Sequence, residues 1–356
     1  MHADSRSPTL GDYRDVVRRV YADEPAFVHP DVGFLSRVLS GKAAYLRHGS
    51  ARAFSVEGRA FAVGFVDPRV QHKHGRALGS IGFFEATSRA AAIDVLASAC
   101  EWLASRGVTE TWAPLNGNPL FGGGLREDRF DGPPFVGCAH QPPAYREYVE
   151  AAAFVRLGGF QNFEIDLTGD AWRAPSAEVS DVTFRRASRA RFLEEVRRFM
   201  AMHNEAFADV WSEAEVSPDE AVQLMGRARL AVPTPLFEFA VRDGMEIGFV
   251  LSMPDVNEVL APQRSPVTSA SGVWKIATRR RHVNSVGLLS VGVLPALQGQ
   301  GIGTMLTARA CRAAHELGFR RLEYALVAES NDASKSTLAR FGGKLCRTFG
   351  VYSKEL

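Results

Sequence analysis

Leu288–Gly303 reads LLSVGVLPALQGQGIG, an apolar run that breaks at Pro295 into a glycine-rich turn from which a helix departs. A strand that delivers Gly299, Gly301 and Gly303 to a helix N-terminus gathers bare backbone N–H groups at the positive end of a helix dipole. That arrangement binds phosphate oxygens. Glycine suits such a turn because a side chain would block a ligand's close approach or strain a backbone that needs positive φ. Two other phosphate-binding patterns fit poorly. A P-loop needs Lys and then Ser or Thr after its second glycine, and Gly303-Thr304-Met305 lacks the lysine. A dinucleotide fingerprint needs GxGxxG, and Leu306 stands where the third glycine belongs.

Outward from the turn, residues 285–294 read as a strand, and Ile302, Leu306, Ala310, Ala313 and Leu317 mark one face of a helix stopped by Gly318. Leu322, Tyr324 and Leu326 alternate as a second strand. Glu329-Ser330-Asn331 follows, then a helix to about Phe341 and a last strand from Lys344 to Lys354. Gln298-Gly299-Gln300-Gly301-Ile302-Gly303 fits (R/Q)xxGx(G/A) and resembles the acyl-CoA pyrophosphate loop of the GNAT N-acetyltransferase superfamily. The order strand, loop, helix, strand, Asn, helix, strand is similar to the GNAT core. The resemblance implies an α/β protein with mixed sheets and an acyltransferase domain over residues 181–356.

The 356 residues favour two domains, and 46% hydrophobic with 23% charged residues is an ordinary globular composition. A net charge of +2 gives no whole-chain polycation for nucleic acid. No apolar stretch reaches membrane-spanning length and the N-terminus lacks a signal-peptide hydrophobic region, so a cytoplasmic protein is expected. Cys100, Cys138, Cys311 and Cys346 have neither metal-site nor disulfide-framework spacing. Cys100 and Cys311 are expected as small buried groups in helices.

Gly169–Ser180 reads as a linker between related halves, suggesting domains at 1–170 and 181–356. The first half has a strand at Ser80–Glu85, a helix through Ile93, Leu96, Cys100 and Leu103, and a strand at Val108–Leu115. A helix is then expected to end in Arg156-Leu157-Gly158-Gly159 before a strand at Phe160–Leu167, much as the second half ends its last helix in Arg340-Phe341-Gly342-Gly343. Where the second half has QGQGIG, the first has Glu85-Ala86-Thr87-Ser88-Arg89, without glycine. The reading is therefore two tandem GNAT folds, the N-terminal one degenerate, with one acyl-CoA site per chain. The chain is also similar to a group of bacterial tandem-GNAT proteins. The matching pieces include Ala26–Pro30, Gly82–Glu85, Ala113–Asn116, Pro142–Tyr145 and Met253–Asn257. Mycothiol synthase, N-myristoyltransferase and Fem aminoacyl transferases share this architecture, so the fold leaves the substrate open.

The resemblance assigns roles by position. Backbone groups of Val291 and Val293 would line the pantetheine and polarise the thioester carbonyl, while Gln298, Gly299, Gln300, Gly301, Ile302 and Gly303 would hold the pyrophosphate. Asn331 matches a pantetheine-contacting asparagine and also suits the N-cap of the next helix. Glu329 is the first candidate base, needed because only a neutral amine attacks; Asp255 and Asn257 come second. The tyrosine that often protonates the departing thiolate is replaced by Leu338, leaving Tyr352 or Tyr324 as substitutes. Metal chemistry is not expected: His72-Lys73-His74 reads as a solvated hairpin loop, and Cys138 with His140 is not needed for direct transfer. Arg279-Arg280-Arg281-His282 fits a solvated basic loop, a CoA 3′-phosphate contact, or a docking point for an acidic acceptor or carrier protein. The expected reaction moves an acetyl or longer acyl group from CoA to a primary amine of a small molecule, amino acid or peptide. A Fem-like aminoacyl-tRNA transferase and a non-catalytic acyl-CoA sensor are the alternatives.

Overall fold

The computed structural model describes residues 7–24, 27–28, 31–173, 179, 181–212, 214–261 and 270–356. Ala26, His29 and Pro30 of the first matching piece, and residues 174–178 and 180 of the linker, lie outside them. The chain packs as two compact units. One takes Met1–Gly132, Ala139–Gly159 and Phe349–Leu356; the other takes Pro133–Cys138 and Phe160–Thr348.

The first unit opens with α1 (Leu10–Val20), where Thr9 and Asp12 form a reciprocal capping box, and α2 (Gly33–Leu39). Strands β1 (Ser50–Val56), β2 (Ala60–Val66) and β3 (Leu78–Ala86) pair antiparallel, and β4 (Glu110–Ala113) lies parallel to β3. Between β2 and β3 runs α3 (Pro68–His74), and α4 (Arg89–Ser105) links β3 to β4. The sheet is completed by Phe349–Glu355, antiparallel to β4 and to the short β5 (Leu125–Arg126). α4 buries Ala92, Val95, Leu96, Ala99 and Leu103 at helical spacing, and its small residues let it approach the sheet closely. Each fully buried Val or Leu contributes about 1.5–3 kcal/mol.

Two local expectations are corrected here. His72-Lys73-His74 end α3 rather than a hairpin loop, because Asp67 caps its first turn and Gly75, at φ 64°, closes it. The next helix, α5 (Tyr145–Ala151), stops well before Arg156-Leu157-Gly158-Gly159, which lie in β6 (Val155–Asp166). Ala153 at φ 63° ends the helical path. Gly159 serves close strand approach, since a Cβ there would sit 2.1 Å from the Phe349 carbonyl oxygen.

In the second unit β6, from Phe160 onward, heads a sheet continued by β7 (Thr183–Arg186), β8 (Phe237–Arg242), β9 (Met245–Pro254), β10 (Ser285–Val293) and β11 (Arg321–Ala328). The spatial order is β6-β11-β10-β9-β8-β7, and β10 with β11 is the parallel pair. α6 (Phe192–Ala206) and α7 (Pro218–Met225) follow β7, and α8 (Asn257–Leu260) and α9 (Ala270–Arg279) lie between β9 and β10. Then α10 (Ile302–Glu316) joins β10 to β11, and α11 (Asp332–Arg340) leads to β12 (Lys344–Glu355), whose far end is the Phe349–Glu355 stretch already described. Phe199, Phe237 and Phe249 form an edge-to-face aromatic core under α6. Cys100 and Cys311 are buried on α4 and α10.

Candidate active site

The parallel register of β10 and β11 stops at Leu288 opposite Tyr324, although β10 continues to Val293 and β11 to Ala328. Both strands carry irregularities there. Leu289 is an extra residue against β9, and Ala325 with Leu326 stand opposite the single residue Asn162 of β6. Leu326 takes φ 53°, and its N–H donates to the Asn162 side-chain oxygen at 2.7 Å. Such bulges bend strands apart. Leu294 N–H points to β9, donating to Ile247. By strand alternation the backbone groups of Val291 and Val293 point the other way, toward the space β11 has left.

Beyond Val293 the chain turns through Gly299 (φ 78°) and Gly301 (φ 83°) into α10. Gly301 is the N-cap and supplies no side chain to the first N–H groups of the helix. Both glycines therefore meet a backbone requirement. Gly303 does not: its φ is ordinary, and an added Cβ would touch only Val293, at 3.9 Å. Ile302 is buried and anchors the helix start. Gln298 turns inward, donating to the Val293 carbonyl at 3.1 Å, and Gln300 accepts from Arg242 at 3.0 Å. Arg242, at the end of β8, has no signal in the sequence; its guanidinium holds Gln300 of the turn and pairs with Asp181 at 2.8 Å, and only the β-hairpin geometry reveals it.

Around the gap, Asn331 caps α11, accepting from Ser334 N–H at 3.0 Å, and the Tyr324 hydroxyl bonds the Ser334 side chain. Burial pushes the Tyr324 phenol up to about 12. Leu338, one turn beyond Ser334, is fully buried. Glu329 is half-buried just past β11, its carbonyl taking the Lys335 ammonium at 2.7 Å. Tyr352 lies in the first unit instead, buried, with its hydroxyl on Glu127 at 2.9 Å; burial and that carboxylate push its pKa well above the usual phenol range.

A buried polar cluster covers the earlier part of the pair. Phe135 packs onto Gly287, where a Cβ would be 2.0 Å from its ring. Asp255 accepts from Val136 and Asn257 N–H groups, and Asn257 donates to the Pro134 carbonyl at 2.9 Å. Burial, then the nearby Glu258 and Glu323 carboxylates, push Asp255 up to about 7. Arg347 pairs with Glu323, which also takes the Asn162 amide at 2.6 Å. A surface depression of 530 Å³ beside Arg320, Arg321 and Lys344 lies at the opposite end of these strands from the glycine turn.

Comparison with known proteins matches this geometry. The family model described as "Acetyltransferase (GNAT) family" covers residues 198–342, which contain β10, the glycine turn and α11. A tandem GNAT protein from the clavulanic acid biosynthesis pathway superposes with a TM-score of 0.59 at 14% identity, covering 98% of this chain and 94% of that one. The chain thus has the fold of a tandem GNAT protein, and its residues 198–342 match the GNAT acetyltransferase family. A GCN5-related N-acetyltransferase from Sphaerobacter thermophilus shares the fold at a TM-score of 0.51 and 16% identity, covering 98% of this chain and 94% of its own. In sequence the chain is 27% identical over 357 residues to a bacterial ceramide synthase of Caulobacter vibrioides, covering 95% of this chain and 92% of that protein. Among the described residues no group of three or more His, Cys, Asp or Glu is placed to hold a metal, and no helix is long and apolar enough to cross a membrane.

Proposed function

We propose that the protein transfers an acyl group from acyl-CoA to a primary amine, with the C-terminal domain, residues 181–356, carrying the site and the degenerate domain, 1–170, carrying none. The carrying observation is the uncapped α10 N-terminus, reached through Gly299 and Gly301 at the end of a splayed strand pair. Its free N–H groups and dipole suit a pyrophosphate, and Arg242, itself paired with Asp181, steadies Gln300 of the turn. Gln298 and Gln300 shape the turn, Ile302 fixes the helix behind it, and Gly303 leaves room for phosphate oxygens.

Val291 and Val293 would hold the pantetheine by backbone hydrogen bonds, one N–H polarising the thioester carbonyl. Glu329 is assigned as the base that takes a proton from the ammonium, through water. The amine nitrogen then attacks the thioester carbon, the C–N bond forms and the C–S bond breaks. Tyr324 is better supported than Tyr352 as the proton donor to the leaving thiolate, because its hydroxyl lies beside α11, the helix on which related enzymes carry that tyrosine. Asn331 orders the α11 start beside it. Asp255 and Asn257 are assigned to acceptor binding.

The ceramide synthase relative supports a lipid-like amine as acceptor. A ceramide is an amide of a long-chain amino alcohol, so such an amine is the first acceptor to test, before amino acids and peptides. Thermal stabilisation should be measured across CoA and acyl-CoAs from acetyl to palmitoyl. Ligand at about 100 times Kd adds about 2.7 kcal/mol of stability. A maximum at one chain length identifies the donor; no shift with any of them sinks the reading. Release of free CoA thiol with an amine present eliminates a non-catalytic sensor.

A further inference from the structure

The basic run at the end of α9 has no part in the site above. Lys275, Arg279, Arg280 and Arg281 place four cations within seven residues, with His282 next, and no Asp or Glu occurs between Glu258 and Glu316. Arg279, Arg281 and His282 are exposed, and the Arg281 guanidinium has a contact to the His282 ring. Among the described residues no carboxylate pairs with Arg279 or Arg281. One turn earlier, Trp274 is 62% exposed. The protein's other four tryptophans are buried or half-buried.

Spacing explains the display. Trp274, Thr278 and Arg281 recur at i, i+4 and i+7, so they share one face of the helix and its short continuation. The Thr278 hydroxyl donates to the Trp274 carbonyl at 2.9 Å, which keeps that threonine's polar atom on the backbone. Gly272 is buried, and Ile276 is half-buried on the same side one turn on, so the helix seats there and turns Trp274 outward. A large amphipathic ring flanked by unpaired guanidinium groups matches the chemistry of a membrane interface. Trp sits at headgroup level, and Lys and Arg meet lipid phosphates.

We propose that α9 and the Arg279–His282 run dock this protein on an anionic lipid surface, with Trp274 entering the headgroup layer and Arg279 and Arg281 bound to lipid phosphates. Docking would place the enzyme where a long-chain amine resides, which extends the proposed function, but binding itself requires no catalysis. The two can therefore fail separately.

Flotation of the full chain with vesicles of phosphatidylcholine alone, or of phosphatidylcholine with phosphatidylglycerol, is the test. Co-flotation is expected only with the anionic vesicles, weakening as salt rises. Each cation removed should lower partitioning roughly fivefold, so the Arg279→Glu/Arg281→Glu pair should stay in solution, while Arg279→Lys/Arg281→Lys still floats. The vesicle-induced blue shift of tryptophan fluorescence should vanish in Trp274→Phe. Equal binding to neutral vesicles, or flotation unchanged by charge reversal, overturns the proposal. So does a different result: if charge reversal abolishes the preference for CoA over 3′-dephospho-CoA and leaves flotation intact, the arginines read a soluble nucleotide phosphate.

Discussion

In the first unit β3 and β4 run parallel over Leu78–Ser80 and Glu110–Trp112; in the second, β10 and β11 do so over Ser285–Leu288 and Arg321–Tyr324. Both pairs then part, and the leading strand of each carries an extra residue against its other neighbour. What fills the space beyond differs. In the first unit Leu115 N–H bonds the Ile81 carbonyl at 2.8 Å, and the Asn116 side chain takes the N–H of Phe83, a bulge residue at φ 46°. A Cβ on Gly82 would lie 2.3 Å from that Asn116 oxygen. The following helix, α4, is capped by the Ser88 hydroxyl, whereas α10 starts at an uncapped glycine. One scaffold thus consumes its own backbone donors, and the other starts its helix without a side-chain cap.

The sharpest test of that contrast uses a carboxylate from each pair. Glu329→Gln should lower kcat by about 10²–10⁴, the usual worth of a general base, while Glu85→Gln in the closed pair should leave kcat within about twofold. Equal losses would place chemistry in the first unit and end the distinction. Asp255→Asn separates the second choice: with its carboxyl held near 7, a base role would give kcat/KM an acidic limb near that pH, and the limb should disappear only in this variant.

Next come the helix starts. Gly303→Val should weaken CoA binding by about 100-fold, or about 2.7 kcal/mol, without loss of fold, because the position has ordinary φ and open space. Gly303→Ala should retain binding and add up to about 1 kcal/mol of helix stability. Ser88→Gly, which uncaps α4, should cost a few tenths of a kcal/mol and create no CoA affinity, since Leu115 and Asn116 fill the gap of that strand pair. Isothermal titration with CoA checks all three; tight binding by Gly303→Val removes the phosphate role from that glycine.

The two asparagines should differ more modestly. Asn116→Ala leaves the Phe83 N–H unpaired and should cost about 1–3 kcal/mol of stability with CoA affinity unchanged. Asn162→Ala should cost a similar amount, because Leu326 N–H loses its acceptor and Glu323 loses a donor. It should also reduce kcat/KM, since it supports the bulge that holds the second gap open. Parallel denaturant titrations and steady-state kinetics read both effects, and kinetics unchanged in Asn162→Ala would detach the bulge from catalysis.

Much of the open site was legible in the sequence because its requirements are local. Glycines at positive φ, a helix stripe and an asparagine before a helix all declare themselves within a few residues. The closed counterpart was legible only as a missing glycine motif. Its plug joins Gly82 to Asn116, thirty-four residues apart, and no spacing rule links them. The same limit hid the exchange of segments, in which Pro133–Cys138 pack with the second unit and Phe349–Leu356 with the first. Arg242 and Asn162 escaped notice because their partners, Gln300 and Leu326, lie on different elements. Arg156-Leu157-Gly158-Gly159 resembles a helix end in sequence but lies in β6, where Gly159 serves close strand approach.

Glu85 gives the smallest effect and the finest distinction. In the closed pair its carboxyl, buried, meets the Tyr145 hydroxyl at 2.8 Å and the Tyr21 hydroxyl at 3.0 Å. Tyr21 also lies 2.7 Å from the His140 carbonyl, which can only accept. With its one proton committed there, Tyr21 can face Glu85 only by receiving a proton from the carboxyl. Burial accordingly pushes Glu85 up to about 8, the two tyrosine hydrogen bonds opposing this only in part. The folded value exceeds the unfolded one, so folding takes up a proton, and the stability this group contributes is full below about 4.5 and lost as pH rises toward 8. The slope should approach 1.4 kcal/mol per pH unit at most. Urea titrations at pH 6 and pH 8 should show wild type losing stability across that window, while Glu85→Gln, a neutral mimic of the acid, loses less. Identical pH dependence in the two proteins would mean that Glu85 is ionised in the fold and that a charge rather than a shared proton holds the two tyrosines.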